Sequence, residues 1–326
     1  MQHTQLRLLD KRNYYKPMKY PWAYEAWDIQ QKTAWLPDEV PLADDVQDWK
    51  NNLNEKETNF LTQIFRFFTQ ADVDVHSCYI DNYLTLFQHP EIKMMLTAFA
   101  NIETVHCASY SYLLDTVGMP ETEYSAFLQY QEMCDKHNFL KQFNTKSLKD
   151  IAKTLAVYGA FTEGLQLFAS FAMLLNFPRF NKMKGMGQII TFSLRDETLH
   201  TYSIINLFNT FVKEYNLIDN NMKEEIIEIC KTVVINENKF IDLAFEMGAI
   251  QGLTSTEVKN YVQFIANRRL SQLNLPEIYS IKENPLPWVN ETISSVEHTN
   301  FFENRVTEYS RSSTEGSWEN VDSSWF

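Results

Sequence analysis

The sequence predicts an all-α protein, a bundle of long helices in one large domain. Three observations predict it. Only 8 glycines and 10 prolines occur in 326 residues, so breakers are scarce, and the prolines fall mostly near the ends or between long periodic stretches. Hydrophobic residues make up 44% of the chain and aromatics 14%, enough for a packed core. Apolar residues also recur at helical spacing over stretches about twice the mean helix length of roughly 11–12 residues.

In chain order, residues 1–40 are rich in Tyr, Trp and Pro without a clear period, and predict an irregular N-terminal arm lying over the domain. Residues 41–300 form the helical domain. Within it the spacing predicts helices over about 55–87, 90–118, 147–177, 187–215, 221–247 and 255–273. The Gly118-x-Pro120 pair closes the second of these and Pro178 the third. Residues 301–326, ending "YSRSSTEGSWENVDSSWF" from 309, are Ser-rich and aperiodic, and predict a flexible tail that orders on a partner. Trp318, Trp325 and Phe326, with acids between them, suit apolar anchors for a groove.

Charge and cysteine content exclude several classes. A net charge of −13 and a pI near 5.0 oppose nucleic-acid binding, which needs clustered Lys and Arg. No apolar run suits a membrane span or signal peptide, so a soluble, cytoplasmic protein is expected. Cys78, Cys107, Cys134 and Cys230 form no C-x-x-C pair, which argues against a zinc ribbon or disulfide framework and fits a reducing compartment.

Two helices carry an acid three residues before a histidine: Glu103 and His106 in "NIETVHCASY", Glu197 and His200 in "RDETLH". On a helix both members share a face. With 7 histidines and 42 acids, about one such pair is expected by chance, and a lone pair reads as a surface acid beside a core histidine. Context decides otherwise, because both helices are strongly apolar and leave the pairs little choice but the interior. Glu163 in "VYGAFTEGLQLF" and Asp72 in "FRFFTQADVDVHSCY" share that position. Buried carboxylates cost several kcal/mol unless paired or bound to a cation, so one shared site of four carboxylates and two imidazoles around two metal ions is expected. A Glu from each of two helices plus Glu-x-x-His from the other two is the di-iron or di-manganese carboxylate arrangement, here with Asp72 for one Glu. Oxygen-rich ligation without thiolate suits iron or manganese. Asp72 precedes Glu103 by 31 positions and Glu163 precedes Glu197 by 34, the spacing of two similar helix pairs. Tyr110 lies one turn beyond His106 on the same face, where a phenol is the most readily oxidised neighbour of such a site. Cys107 points to another face and reads as core.

With these residues assembled, nearly the whole chain resembles the small, radical-generating subunit of class I ribonucleotide reductase. That family's ferritin-like bundle holds an Asp, then Glu-x-x-His-x-x-x-Tyr, then a Glu, then Asp-Glu-x-x-His. These stand here as Asp72, as Glu103, His106 and Tyr110, as Glu163, and as Asp196, Glu197 and His200. "AWLPDEV" resembles a segment whose tryptophan, here Trp35, takes part in electron transfer. "NFFENRVTEYSR" resembles the lead into the mobile tail, whose tyrosine, here Tyr309, relays oxidation to the large subunit. The resemblance implies two metal ions per chain, di-iron by family preference with di-manganese or mixed manganese and iron as variants. It also implies a homodimer, docking to the large subunit through the C-terminal tail, and dioxygen activation whose oxidant passes by way of Tyr110, Asp196, His106, Trp35 and Tyr309 to a cysteine of the large subunit, where the nucleotide's 2′-hydroxyl is replaced by hydrogen. Asp196 also suits the carboxylate that a ligand histidine needs at its free N–H. No Gly-rich phosphate loop occurs, so nucleotide binding is expected in the partner.

One position departs from the pattern. Ser193, one turn before Glu197, stands where tyrosyl-radical members carry a bulky aliphatic residue, while Leu167 and Phe171 beyond Glu163 are apolar as expected. A polar Ser193 points either to a shorter-lived radical or to a subclass that keeps its oxidant on manganese. A ferritin-like di-iron oxidase or hydroxylase of small apolar substrates would explain the metal ligands but neither Asp72 as the first ligand nor the Tyr309 tail, and an iron-storage bundle would be much shorter.

Overall fold

The structure, a computed structural model, describes residues 6–292 of the chain. Eight helices organise it, labelled here in chain order. α1 is Pro21–Lys32, α2 Glu55–Cys78, α3 Pro90–Val117 and α4 Gln131–Leu140. α5 is composite, running through Leu148–Leu155, a π-helical stretch Ala156–Leu167, and Phe168–Leu175. α6 is Lys184–Glu214, α7 Asn220–Ala244 and α8 Ser255–Gln272. Among the described residues the only β pairing is an isolated bridge, Ile250 with Leu253, and no helix is long and apolar enough to cross a membrane.

The helix ends follow the expected chemistry. Asn54 and Glu57 form a capping box at the start of α2, and Thr254 with Glu257 does the same for α8. Pro90 opens α3 where its missing N–H costs nothing, and Gly118, at φ +84°, ends it in the left-handed conformation. α6 begins three residues earlier than its sequence predicts, because acids from a preceding segment cap it. Gly185 and Met186 N–H donate to Asp45 at 2.8 and 2.7 Å, and Met183 N–H donates to Asp48 at 2.7 Å.

Four features differ from the sequence expectation. The arm over 1–40 is not irregular throughout: Pro21–Lys32 is a helix that packs along α3 and touches α6, and it turns Ala23, Ala26 and Gln30 inward. The expected helix over 55–87 changes pitch, with a π-helical turn Tyr79–Tyr83 and a short end Leu84–Leu86. The helix over 147–177 widens across Ala156–Leu167, and π turns of this kind mark functional sites more often than chance. Residues 119–146, for which the spacing predicts nothing, supply α4.

α2 packs on α3 and α5 on α6, and these four helices enclose the core, while α7 and α8 cover the outer side of α5. The close approach of α5 to α6 needs glycine: a Cβ on Gly159 would lie 2.3 Å from Ile204 Cγ2. The backbone of α5 therefore rests directly on the α6 side chain, which brings Glu163 within reach of Glu197 and His200.

Candidate metal centre

Each core helix delivers its acid to one point. Asp72 comes from α2, Glu103 and His106 from α3, Glu163 from the π stretch of α5, and Glu197 and His200 from α6; all six are at most 1% exposed. Two overlapping groups have ligand atoms within 4.8 Å of one another: Glu103, Glu163, Glu197 and His200, and Asp72, Glu103 and His106. Glu103 belongs to both. Its Oε2 lies 3.3 Å from His106 Nδ1 and its Oε1 3.0 Å from His200 Nδ1. Glu197 repeats the arrangement, with Oε1 3.3 Å from His106 Nδ1 and Oε2 3.6 Å from His200 Nδ1. Two carboxylates thus each turn one oxygen to either imidazole, so that both would be shared by a pair of cations held here. Asp72 Oδ2 stands 3.8 Å from His106 Nδ1, and Glu163 Oε1 3.5 Å from His200 Nδ1, as one terminal acid per imidazole.

The polar atoms at this point lack hydrogen-bond partners. Both oxygens of Asp72, Glu103 and Glu197, one of Glu163, and Nδ1 of both histidines are buried without a donor or acceptor in line. Burial pushes Asp72 well above the usual carboxylate range and Glu163 up to about 8. Glu103 stays at about 2 against the same burial, because His106 and His200 face it. Both imidazoles are pushed well up against burial, chiefly by Glu103 for His106 and by Glu197 for His200. Four carboxylates in a dry core need positive charge, and among the described residues no Lys or Arg supplies it at the cluster, so the donor set fits a pair of cations. Two nitrogens among carboxylate oxygens, with no thiol, suit iron or manganese rather than copper.

A hydrogen-bonded layer orients the imidazoles. With Nδ1 aimed at the cluster, His106 Nε2 donates to Asp196 Oδ2 at 3.2 Å, and Trp35 Nε1 donates to the same oxygen at 2.8 Å. Against full burial, His106 and the Arg195 charge hold Asp196 below the usual carboxylate range. Asp196 and Trp35, both expected from sequence, are therefore brought together. Gln30, which the sequence reading missed, completes the layer: its amide donates to Asp196 Oδ1 at 3.2 Å and its oxygen accepts from His200 Nε2 at 3.1 Å. Its signal was the helical spacing of Ala23, Ala26 and Gln30 inside a segment read as irregular.

Tyr110 is buried beside the cluster, its ring 4.5 Å from Phe68 and 6.3 Å from His106 between centroids. Its hydroxyl donates to Ser193 Oγ at 2.9 Å, and burial holds the phenol neutral far above its usual range. Tyr79, not singled out by sequence, donates to Glu163 Oε1 at 2.7 Å. Leu167 and Phe171 are buried, Phe171 packing edge-on against Phe68. Cys107 stays out of the cluster, its partly buried thiol turned to the Thr69 carbonyl. Tyr309, Trp318, Trp325 and Phe326 lie outside the described residues.

The sequence profile of the family described as ribonucleotide reductase, small chain, matches residues 12–285. A probable ribonucleoside-diphosphate reductase small subunit of Invertebrate iridescent virus 6 is 44% identical, the match covering 97% of this chain and 99% of that one. A ribonucleoside-diphosphate reductase subunit beta of Chlamydia pneumoniae is 33% identical over 90% of this chain and 88% of its own. Among solved structures, a putative class I ribonucleotide reductase from Bacillus halodurans superposes with a TM-score of 0.78 at 22% identity, covering 83% of this chain and 99% of that one. A dimanganese(II)-NrdF from Streptococcus sanguinis superposes with a TM-score of 0.74 at 19% identity, covering 87% and 99%. These last two are likenesses of fold.

Proposed function

We propose a function for this chain, which belongs to the ribonucleotide reductase small-chain family. It is a small subunit of ribonucleoside-diphosphate reductase built on a ferritin-like helical bundle. Within that assignment, Asp72, Glu103, His106, Glu163, Glu197 and His200 hold two metal ions. The observation that carries this reading is the convergence of unpartnered, buried carboxylate oxygens and imidazole nitrogens, with Glu103 and Glu197 each reaching both histidines. Iron or manganese bound there supplies the dioxygen-dependent oxidising power of the subunit; the Streptococcus sanguinis neighbour is a dimanganese protein by its description.

The chain's own residues do the rest. Tyr110, whose hydroxyl donates to Ser193 Oγ as the resting phenol, gives up one electron and that proton to become the neutral phenoxyl that stores the oxidising equivalent. The buried Ser193 contact favours a second reading for manganese loading, in which the metals themselves would supply the oxidising power and Tyr110 remains a neutral phenol. Asp196 joins Trp35 to His106 in one hydrogen-bonded line from the N-terminal arm to the cluster, the route by which oxidation leaves the site. Tyr309 relays it onward to a cysteine of the large subunit, to which the C-terminal tail docks. The protein works as a homodimer, in the cytoplasm, and reduces nucleotides only with that partner. An oxidase or hydroxylase of small apolar substrates is disfavoured by the family match.

Metal content by elemental analysis, with low-temperature EPR after reloading the metal-free protein in air with iron or manganese, tests this reading. About two metals per chain are expected. A tyrosyl signal absent from Tyr110→Phe assigns the radical, and a coupled manganese or manganese–iron signal alone assigns the second reading. No bound metal overturns the proposal.

A further inference from the structure

The four acids at the centre are not equivalent. Asp72, Glu103 and Glu197 have both oxygens unpartnered, whereas Glu163 has only Oε2 so disposed, because its Oε1 accepts the Tyr79 hydroxyl at 2.7 Å. Tyr79 is itself held rigidly. It opens the π-helical turn after α2, is 1% exposed, and its ring stands edge-on to Phe99 and His200, each 6.2 Å away between centroids, and to Tyr83 at 5.6 Å. The helix widens at this residue, and α5 widens where it carries Glu163, so both partners of the bond sit on π-helical backbone. A side chain clamped on three sides keeps its hydroxyl in place, and a carboxylate bonded to it by one oxygen cannot swing freely.

We infer that Tyr79 is a positioning residue for Glu163. It engages Oε1, fixes the carboxylate's rotation, and makes Glu163 a restrained acid in the half of the centre shared with His200, while Glu103 and Glu197 remain free to offer both oxygens. This rests on the dimetal reading above. It distinguishes the two halves of the centre: Asp72, at the other terminal position, has no such tether. Tyr79 therefore sets the affinity and coordination of one metal and leaves the other alone.

The test uses full-length protein, wild type and Tyr79→Phe, stripped of metal and titrated anaerobically with Mn(II) and Fe(II). The Phe ring keeps the packing against Phe99 and His200 and removes only the donor. Loss of a hydrogen-bonding partner behind a metal ligand typically weakens binding 10–100-fold, so one of the two sites is expected to weaken by about that factor while the other keeps its affinity. The near-infrared circular dichroism of the di-ferrous protein should show the ligand-field bands of one ion shifting and those of the other unchanged. Replacing Tyr79 by 4-aminophenylalanine, which retains a donor at the ring's end, should restore both readouts. Two wild-type affinities and unshifted bands in Tyr79→Phe overturn the role of Tyr79 while leaving the dimetal reading intact. A wild-type protein that binds neither ion overturns both.

Discussion

Ser193 Oγ accepts the Tyr110 hydroxyl at 2.9 Å, and both residues are buried. The small polar residue one turn before Glu197 is therefore a direct partner of the phenol. A hydroxyl can accept from the phenol and, after rotation, donate to a phenoxyl oxygen. Ser193→Ala should leave the buried phenol unsatisfied and cost about 1–3 kcal/mol. In an iron-loaded protein with a Tyr110 radical, high-field EPR should show the largest g component rising as the hydrogen bond is lost. An unchanged g value would mean that Ser193 does not touch the radical.

Asp196 accepts from both Trp35 and His106, so Asp196→Asn keeps the shape and removes the charge that orients the imidazole. Metal affinity should fall about 10–100-fold on the His106 side. Reductase activity with the large subunit should fall further than metal occupancy does. Equal losses of activity and metal would assign Asp196 to metal retention alone.

On the dimetal reading, metal removal should destabilise the fold, because cations held there would offset four buried carboxylates. At free Mn(II) 100-fold above its dissociation constant, each site should add about 2.7 kcal/mol. Calorimetric melting with and without Mn(II) or Fe(II) checks this, and Glu103→Gln should abolish most of the gain. A melting temperature indifferent to both ions would contradict the ligand assignment.

The α5–α6 contact can be probed at Gly159. An added Cβ would meet Ile204 at 2.3 Å, so Gly159→Ala should force the helices apart and cost about 1–3 kcal/mol. The same displacement moves Glu163 from Glu197 and His200, and second-metal occupancy should drop. Ile204→Ala in that background should return occupancy by restoring room; failure to do so would locate the defect elsewhere.

Away from the site, Lys136 Nζ pairs with Glu237 Oε2 at 2.8 Å, and both side chains are at most 3% exposed. Burial raises the Glu237 pKa and Lys136 opposes the rise. Lys136→Met leaves an uncompensated acid and should cost about 3–5 kcal/mol at neutral pH. The sign with pH follows from a folded pKa above the unfolded one: the folded state holds the proton more tightly, so the deficit shrinks as pH falls through the folded pKa towards the ordinary value near about 4.3. Denaturant melts of the variant and wild type across that window measure it. Lys136→Met with Glu237→Leu should recover most of the loss at every pH.

Much of the candidate site is legible in the sequence. The i, i+3 spacing of Glu103 with His106 and of Glu197 with His200 places each pair on one helical face, and the apolar surroundings of all four acids forbid a solvated one. Scarce breakers and long periods marked the helices that carry them. Periodicity and hydrophobicity act along the chain, so they already specify which residues are driven inward and on which helices. What each buried polar atom meets comes from packing between helices: Tyr79 on Glu163, Ser193 on Tyr110, Gln30 between Asp196 and His200. Those contacts cross between helices, and their registry depends on how closely the backbones approach. A π turn at Tyr79 and another through Glu163, with Gly159 pressed on Ile204, rotate side chains by amounts that a 3.6-residue period does not contain.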